Sequence, residues 1–306
     1  MNTLKTRIAP TPSGFLHIGN AYSFLLTWLI ARGRQGTVHL RIDDIDSDRV
    51  RPEYMQDIFD SLQWLGIDWD TEARSQMGKE EIYKKYLTTN PNLSFQAEHL
   101  MPSPFYICYC SRKTIQQNAN NGLYGQTCLP THFSEGVALG KGAIRLHIPA
   151  SAEVILQDTL KGTCVLKPAE LAGDLVVWRK NDEPAYQLAS LVDDVESNID
   201  FIVRGEDLWN STVFQLHLAE VLGLPAFSKT IFLHHPLVLD DAGQKLSKSE
   251  GAPSLHAMRK QGILPAQIYK QLAVFWGVEV SALPTLQELL ESFKEKIEIL
   301  SRIVFV

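Results

Sequence analysis

The chain has 306 residues, 29 Lys and Arg against 35 Asp and Glu, and a formal net charge of −6. That length suits about two domains, and 45% hydrophobic content is ordinary for a globular protein. The acidic balance advertises no nucleic-acid partner over the whole surface; such a partner would need a local basic face. No apolar run approaches the ~18–20 residues of a membrane span, so no membrane partner is expected. The start lacks the apolar core of a signal peptide, which makes the cytoplasm the expected location.

Thr6–Ala9 reads as a strand and leads into the turn Thr11-Pro12-Ser13-Gly14. Residues 20–32 are apolar at helical spacing, with Phe24, Leu25, Trp28 and Leu29 on the repeat, and Val38–Ile42 reads as a second strand. Pro52 opens a helix to Leu65 with Ile58, Phe59, Leu62 and Leu65 on one face. This order begins a parallel sheet with crossover helices. Thr88–Pro104 carries three prolines and little periodicity, which places a boundary there. Short β-like runs follow at 143–148, 153–157, 163–167 and 174–178, and are read as a small inserted domain. After Pro184 the alternating pattern returns: a helix near Tyr186–Val192, a strand at Phe201–Arg204 and a helix at Thr212–Leu222. The last fifty residues read as helical, with starts at Ser254, Pro265 and Pro284-Thr285.

Two distant segments carry phosphate chemistry. In the first, residues 7–20, Pro12 and Gly14 set a tight turn that enters a helix N-terminus near Asn20, where backbone N–H groups and the dipole favour an anion. Gly19 is read as letting a ligand approach the backbone, and His17 as a donor to phosphate oxygen. The second, Lys245-Leu-Ser-Lys248-Ser249, offers two ammonium groups among small residues. A loop of this kind can close on charge developing at phosphorus and on a leaving pyrophosphate. Each segment alone has an ordinary reading, as a strand-turn-helix corner or a solvated lysine turn.

Four cysteines, Cys108, Cys110, Cys128 and Cys164, argue for metal or core rather than a disulfide framework. Cys108, Cys110 and Cys128 can supply three ligands of a tetrahedral zinc. Tyr124, His132 or Cys164 would be the fourth, and spacing alone favours His132.

Together the two phosphate segments resemble the "HIGH" and "KMSKS" regions of class I aminoacyl-tRNA synthetases of the glutamyl type. Leu40-Arg-Ile-Asp-Asp-Ile-Asp46, Pro184–Asp194, Val203–Leu208 and Phe232–Leu237 are similar to further blocks of that family, in family order. The resemblance implies an α/β architecture. A Rossmann-type parallel-sheet catalytic domain would occupy 1–104 and 184–240, interrupted by an inserted zinc-containing acceptor-type domain at 105–183. A KMSKS-like loop and helical subdomain would follow at 241–306.

By position, the resemblance implies that Pro10, Ser13, Gly14, His17, Gly19, Asn20, Lys245 and Lys248 bind ATP, with His17, Lys245 and Lys248 stabilising the phosphates in catalysis. It implies a glutamate pocket of Arg7, Ala9, Ser13, Asp43, Tyr186 and Arg204; two arginines suit a substrate with two carboxylates. Asp43 stands where the family usually has glutamate, so aspartate is a rival substrate. Asp44 and Asp46 have an ordinary reading as strand-end turn residues, which is favoured for Asp46, and Asp193 and Asp194 could equally cap the end of a helix.

The pattern Cys-x-Cys…Tyr-x-x-x-Cys resembles the zinc site of the glutamyl-queuosine tRNA(Asp) synthetase subfamily, which implies Cys108, Cys110, Tyr124 and Cys128 as ligands of one structural Zn2+. About fifty-five residues follow the lysine loop. They are too few for the helical anticodon-binding domain of a glutamyl-tRNA synthetase, and Arg259, Lys260, Lys270, Lys294, Lys296 and Arg302 would give them a modest basic surface. The implied reaction joins L-glutamate to Mg2+-ATP and then passes the glutamyl group to queuosine in tRNA(Asp). The alternatives are a truncated synthetase charging tRNA(Glu), a glutamate-adenylating enzyme with another acceptor, and a catalytically silent binding module. The silent module fits least, because His17, Lys245 and Lys248 are all present.

Overall fold

The computed structural model describes residues 3–88, 104–118, 124, 126–129, 140, 142–171, 173–238 and 253–301. The first unit is β1 (Lys5–Ile8), α1 (Ile18–Gly33) and β2 (Thr37–Ile42). β1 and β2 are parallel, with Lys5 opposite Thr37 and Ile8 opposite Leu40. α1 is apolar on most of its circumference, because it is covered twice. One side lies on the sheet. The other meets the chain's last helices, where Tyr22 packs edge-on to Phe275 and a methyl at Gly33 would come within 2.7 Å of Ile297.

Next come α2 (Pro52–Trp64), opened by its proline, and β3 (Arg74–Ser75), which adds to β2 in parallel, then α3 (Glu80–Thr88). β4 (Phe105–Cys108), α4 (Arg112–Gln117) and β5 (Ala143–Leu146) follow, then the hairpin β6 (Val154–Asp158) and β7 (Gly162–Leu166), then β8 (Leu175–Trp178). β4, β5 and β8 make a small antiparallel sheet. The second crossover consists of α5 (Tyr186–Glu196), β9 (Phe201–Gly205), α6 (Trp209–Val221), the single turn α7 (Pro225–Ser228) and β10 (Ile231–His235). The chain closes with α8 (Leu255–Lys260), α9 (Pro265–Phe275), α10 (Leu286–Ser292) and α11 (Lys294–Leu300).

Two features differ from the division expected of the sequence. The β6–β7 hairpin does not stay with the small sheet, since β6 pairs in parallel with β10 and gives the order β7-β6-β10-β9. The C-terminal helices do not form a body of their own either. Leu272, Leu289, Phe293, Ile297 and Leu300 are buried in the same core as Ile8, Leu25, Leu29 and Leu40.

Candidate active site

β1-β2-β3 and β7-β6-β10-β9 are separate ladders. They meet at β1 and β9, where the Asp200 amide donates to the Lys5 carbonyl at 3.0 Å and the Lys5 amide to the Asp200 carboxylate at 2.8 Å. Strand order reverses at this junction, and such switch points leave a crevice beyond the carboxyl ends of the strands. A cavity of about 280 Å3 lies there. Its walls include Arg7, Ala9, Pro10, Ser13, His17, Asn20, Asp43, Tyr186 and Arg204, so the structure brings together residues scattered over two hundred positions.

The turn after β1 ends in an unusual cap. His17 is the N-cap of α1: its Nδ1 accepts the Gly19 amide at 3.1 Å, and the Asn20 side-chain oxygen accepts the His17 amide at 3.0 Å. A neutral ring whose Nδ1 accepts carries its proton on Nε2. A methyl at Gly19 would sit 3.1 Å from the ring, so the space at Gly19 is taken by the His17 imidazole rather than left for a ligand. α1 is also tied to β10, because Ser23 Oγ is 2.7 Å from His235 Nε2, whose Nδ1 is 2.8 Å from the Pro236 carbonyl.

Under the cavity lies a buried charge cluster. Arg7 from β1, Arg41 from β2 and Arg204 from β9 surround Asp194 of α5, which has no exposed surface. Asp194 accepts from Arg41 at 2.5 Å and Arg7 at 3.2 Å, and lies 3.8 Å from Arg204. Burial opposes its ionisation, but the three guanidiniums outweigh it and hold the carboxyl below its usual range. Burial likewise works against the Arg41 charge, yet Asp194, Asp43 and Asp193 keep it well above the usual arginine value. Asp43 is clamped by Arg41 at 2.6 and 3.3 Å, and burial raises its carboxyl despite that contact. Arg204 loses part of its usual basicity to burial and to its two fellow arginines. Its Nη1 donates to Thr212 Oγ1 at 2.9 Å and Gln215 Oε1 at 2.7 Å, while Nε and Nη2 are buried with no hydrogen-bond partner among the described residues.

Arg41 and Asp194 carry much of this cluster, although the sequence motifs give neither a site role. A signal was available for Asp194: Tyr186, Ser190 and Asp194 are four apart and share one face of α5. Ser190 Oγ accepts from Arg41 at 3.0 Å. The two aspartates of α5 are not helix caps. Asp193 instead accepts from Gln76, Tyr83 and Lys79 at 2.8 to 3.1 Å. Asp44 is a loop anchor, accepting from Ser75 Oγ and from the amides of Gln76 and Met77.

Beside the small sheet, the Sγ atoms of Cys108, Cys110 and Cys128 lie within 4.8 Å of one another. Tyr124 Oη is 3.3 Å from Cys108 Sγ and 3.9 Å from Cys110 Sγ, and it accepts the Cys128 amide. Three thiols and a phenol converging at these distances fit a tetrahedral zinc donor set. The Arg145 guanidinium stacks 3.8 Å above the Tyr124 ring. Burial alone would raise the Cys108 thiol, but hydrogen bonds from Tyr124 and Arg145 bring it down to about 7, where thiolate is available at neutral pH.

Lys245, Lys248 and His132 lie outside the described residues. The chain re-enters at Ser254 beside the turn, with a bridge from Ser254 to His17 and the Leu255 amide donating to the Leu16 carbonyl at 2.8 Å. Of the basic residues expected to face a nucleic acid, Arg259 is committed to Asp57 and Asp60, and Lys270 to the Val280 carbonyl. Arg302 lies outside the described residues.

Residues 3–306 match the family described as tRNA synthetases class I (E and Q), catalytic domain. The chain belongs to that family. It is 34% identical over 301 residues to a glutamate–tRNA ligase of Lawsonia intracellularis, covering 96% of this chain and 61% of that protein. A glutamate–tRNA ligase of Aquifex aeolicus is 32% identical, covering 90% and 57% respectively. The chain thus spans about three fifths of the length of these curated relatives. The crystal structure of a glutamate–tRNA synthetase from Elizabethkingia anophelis superposes with a TM-score of 0.73 at 21% identity, over 95% of this chain and 66% of that one, and shows the shared fold. No helix among the described residues is long and apolar enough to cross a membrane.

Proposed function

We propose that the protein activates glutamate with ATP and transfers the glutamyl group to queuosine in the anticodon of tRNA(Asp). The observation that carries the first half is the cavity wall itself. Arg204 presents a guanidinium beside Arg7 whose Nε and Nη2 find no hydrogen-bond partner among the described residues, with Asp194 Oδ2 3.8 Å away. An anionic substrate supplies the missing acceptors and a closer negative charge.

In this reading Arg7 and Arg204 hold the two carboxylates of glutamate. Asp43 keeps carboxylate lone pairs for the ammonium beyond those Arg41 occupies. A substrate carboxylate oxygen bonds to the α-phosphorus of ATP as the bond to the β-phosphate oxygen breaks, releasing pyrophosphate. His17, with Lys245 and Lys248, offsets charge on the phosphates, and the protein contributes position and electrostatics rather than a covalent intermediate. Mg2+ accompanying ATP would neutralise part of the triphosphate charge. Cys108, Cys110, Tyr124 and Cys128 would hold a structural zinc in the inserted region.

The tyrosine among the three cysteines supports queuosine as acceptor, because that ligand pattern resembles the queuosine subfamily. The relatives named glutamate–tRNA ligase favour a second reading, charging of tRNA(Glu). Incubation with ATP, labelled glutamate and either queuosine-bearing tRNA(Asp), unmodified tRNA(Asp) or tRNA(Glu) separates the two. Label confined to the queuosine tRNA is expected; label on tRNA(Glu) would replace the first reading by the second.

A further inference from the structure

A polar chain runs from the cavity into the β6–β7 hairpin. Arg204 Nη1 donates to Thr212 Oγ1 at 2.9 Å, and Thr212 Oγ1 is 2.8 Å from His234 Nε2. His234 Nδ1 is 2.8 Å from Asp158 Oδ2, and Asp158 also accepts the amides of His234, Leu160 and Lys161. Arg204, Thr212, His234 and Asp158 are all at least 96% buried.

Burial limits where each proton can go. Asp158 accepts four hydrogen bonds and acts as a carboxylate, so His234 Nδ1 donates to it. Thr212 Oγ1 accepts from Arg204 Nη1, and its single proton has two acceptors in reach, His234 Nε2 at 2.8 Å and the Leu208 carbonyl at 3.2 Å. The Arg204 end of the chain is fixed in direction, because a guanidinium can only donate, and a buried chain of this kind polarises its members.

We infer that Thr212, oriented by the His234–Asp158 pair, is a positioning residue for the substrate carboxylate held by Arg204. Thr212 and Gln215 together seat Nη1 and so fix the guanidinium plane. The edge formed by Nε and Nη2 keeps its donors for the ligand. The β6–β7 hairpin thereby serves the pocket from outside it: Asp158 ends β6 and reaches Arg204 through His234 and Thr212. β6 pairs with β10 at Phe232↔Asp158, the register point that brings the carboxylate beside His234.

This inference rests on the glutamate-activation reading. Its test is ATP–pyrophosphate exchange driven by glutamate, with wild type, Thr212→Val and Thr212→Ser compared at equal folded fraction by thermal melting. Valine keeps the shape and removes the hydroxyl; serine keeps the hydroxyl and loses a methyl. Thr212→Val is expected to raise the glutamate KM by about tenfold to a hundredfold, the loss of a hydrogen bond to a charged group. The ATP KM and kcat should stay within about threefold, the scatter expected for a hydroxyl with no role in the reacting bonds. Thr212→Ser should restore the glutamate KM.

A general packing defect would move both KM values or leave serine as impaired as valine, and either result overturns the inference. So does a glutamate KM unchanged in Thr212→Val while wild type exchanges normally. Absence of glutamate-dependent exchange in wild type overturns the activation reading instead, and the inference with it. If Thr212→Val does not fold, Thr212→Ala is read by the same criteria.

Discussion

Asp194→Asn removes one charge at constant shape from the centre of the arginine cluster. In the wild type this carboxylate, fully buried, faces guanidinium nitrogens at 2.5, 3.2 and 3.8 Å. In the variant the three arginines are left with Asp43 and, 3.9 Å from Arg41, Asp193. Breaking a buried pair in this way costs about 3–5 kcal/mol. For 306 residues the unfolding entropy at the midpoint is about 0.6 kcal/mol per kelvin, so Tm should fall by about 5–8 °C near pH 7. The pH dependence carries a second check. The folded-state carboxyl is held below its usual range, so its contribution is fully present above the unfolded value of about 4 and is lost as pH falls through the lower folded value. The Tm gap between wild type and variant should therefore be full above about pH 4 and narrow progressively on further acidification. A Tm difference under about 1 °C at pH 7, or a gap that widens on acidification, would refute Asp194 as the counter-ion of this cluster.

Lys248→Ala should slow adenylate formation in pyrophosphate exchange by about 10²–10³ with the glutamate KM little changed, as for loss of a transition-state contact; unaltered kinetics would remove its assigned role. Untagged protein purified without chelator should contain about one zinc per chain by elemental analysis, and Cys128→Ser should lower that content; metal-free wild type would end the zinc reading. Gly19→Ala puts a methyl 3.1 Å from the His17 ring. It should leave Tm within a degree or two while cutting kcat of exchange by about tenfold, since alanine is the better helix residue and only the imidazole must move; an unchanged kcat would show that the ring's placement is immaterial.

Much of the fold was legible where local chemistry settles it. Pro52, Ser254, Pro265 and Thr285 mark helix starts within a residue of their places, because a fixed φ or a capping hydroxyl acts over one turn. α1 begins two residues before the expected Asn20, since a histidine takes the N-cap that serine or aspartate would usually signal. The pairing of β6 with β10 was not legible. Its one registered pair, Phe232↔Asp158, spans seventy-odd positions, and nothing in the hairpin's own alternation names its neighbour. The cavity residues were found through motif resemblance, whereas Arg41 and Asp194 were passed over. Buried ions on a strand and a helix look like surface charges until the fold brings them together.

The same carboxylate that orients the site also joins the two halves of the sheet. β1 and β9 belong to different ladders, and across that junction Asp194 binds Arg7 on one side and faces Arg204 on the other. A fold with a gap in its ladder at the switch point gains a crevice there but loses backbone bonds that would hold the crevice to shape. Ion pairs from α5 replace part of that restraint, and they do so with groups that point toward the ligand. Arg204, whose Nε and Nη2 find no hydrogen-bond partner among the described residues, is costly to bury without a closer partner than Asp194 at 3.8 Å. Under the proposed function the substrate is that partner, so the structural role of Asp194 and the affinity for an acidic amino acid have one electrostatic origin.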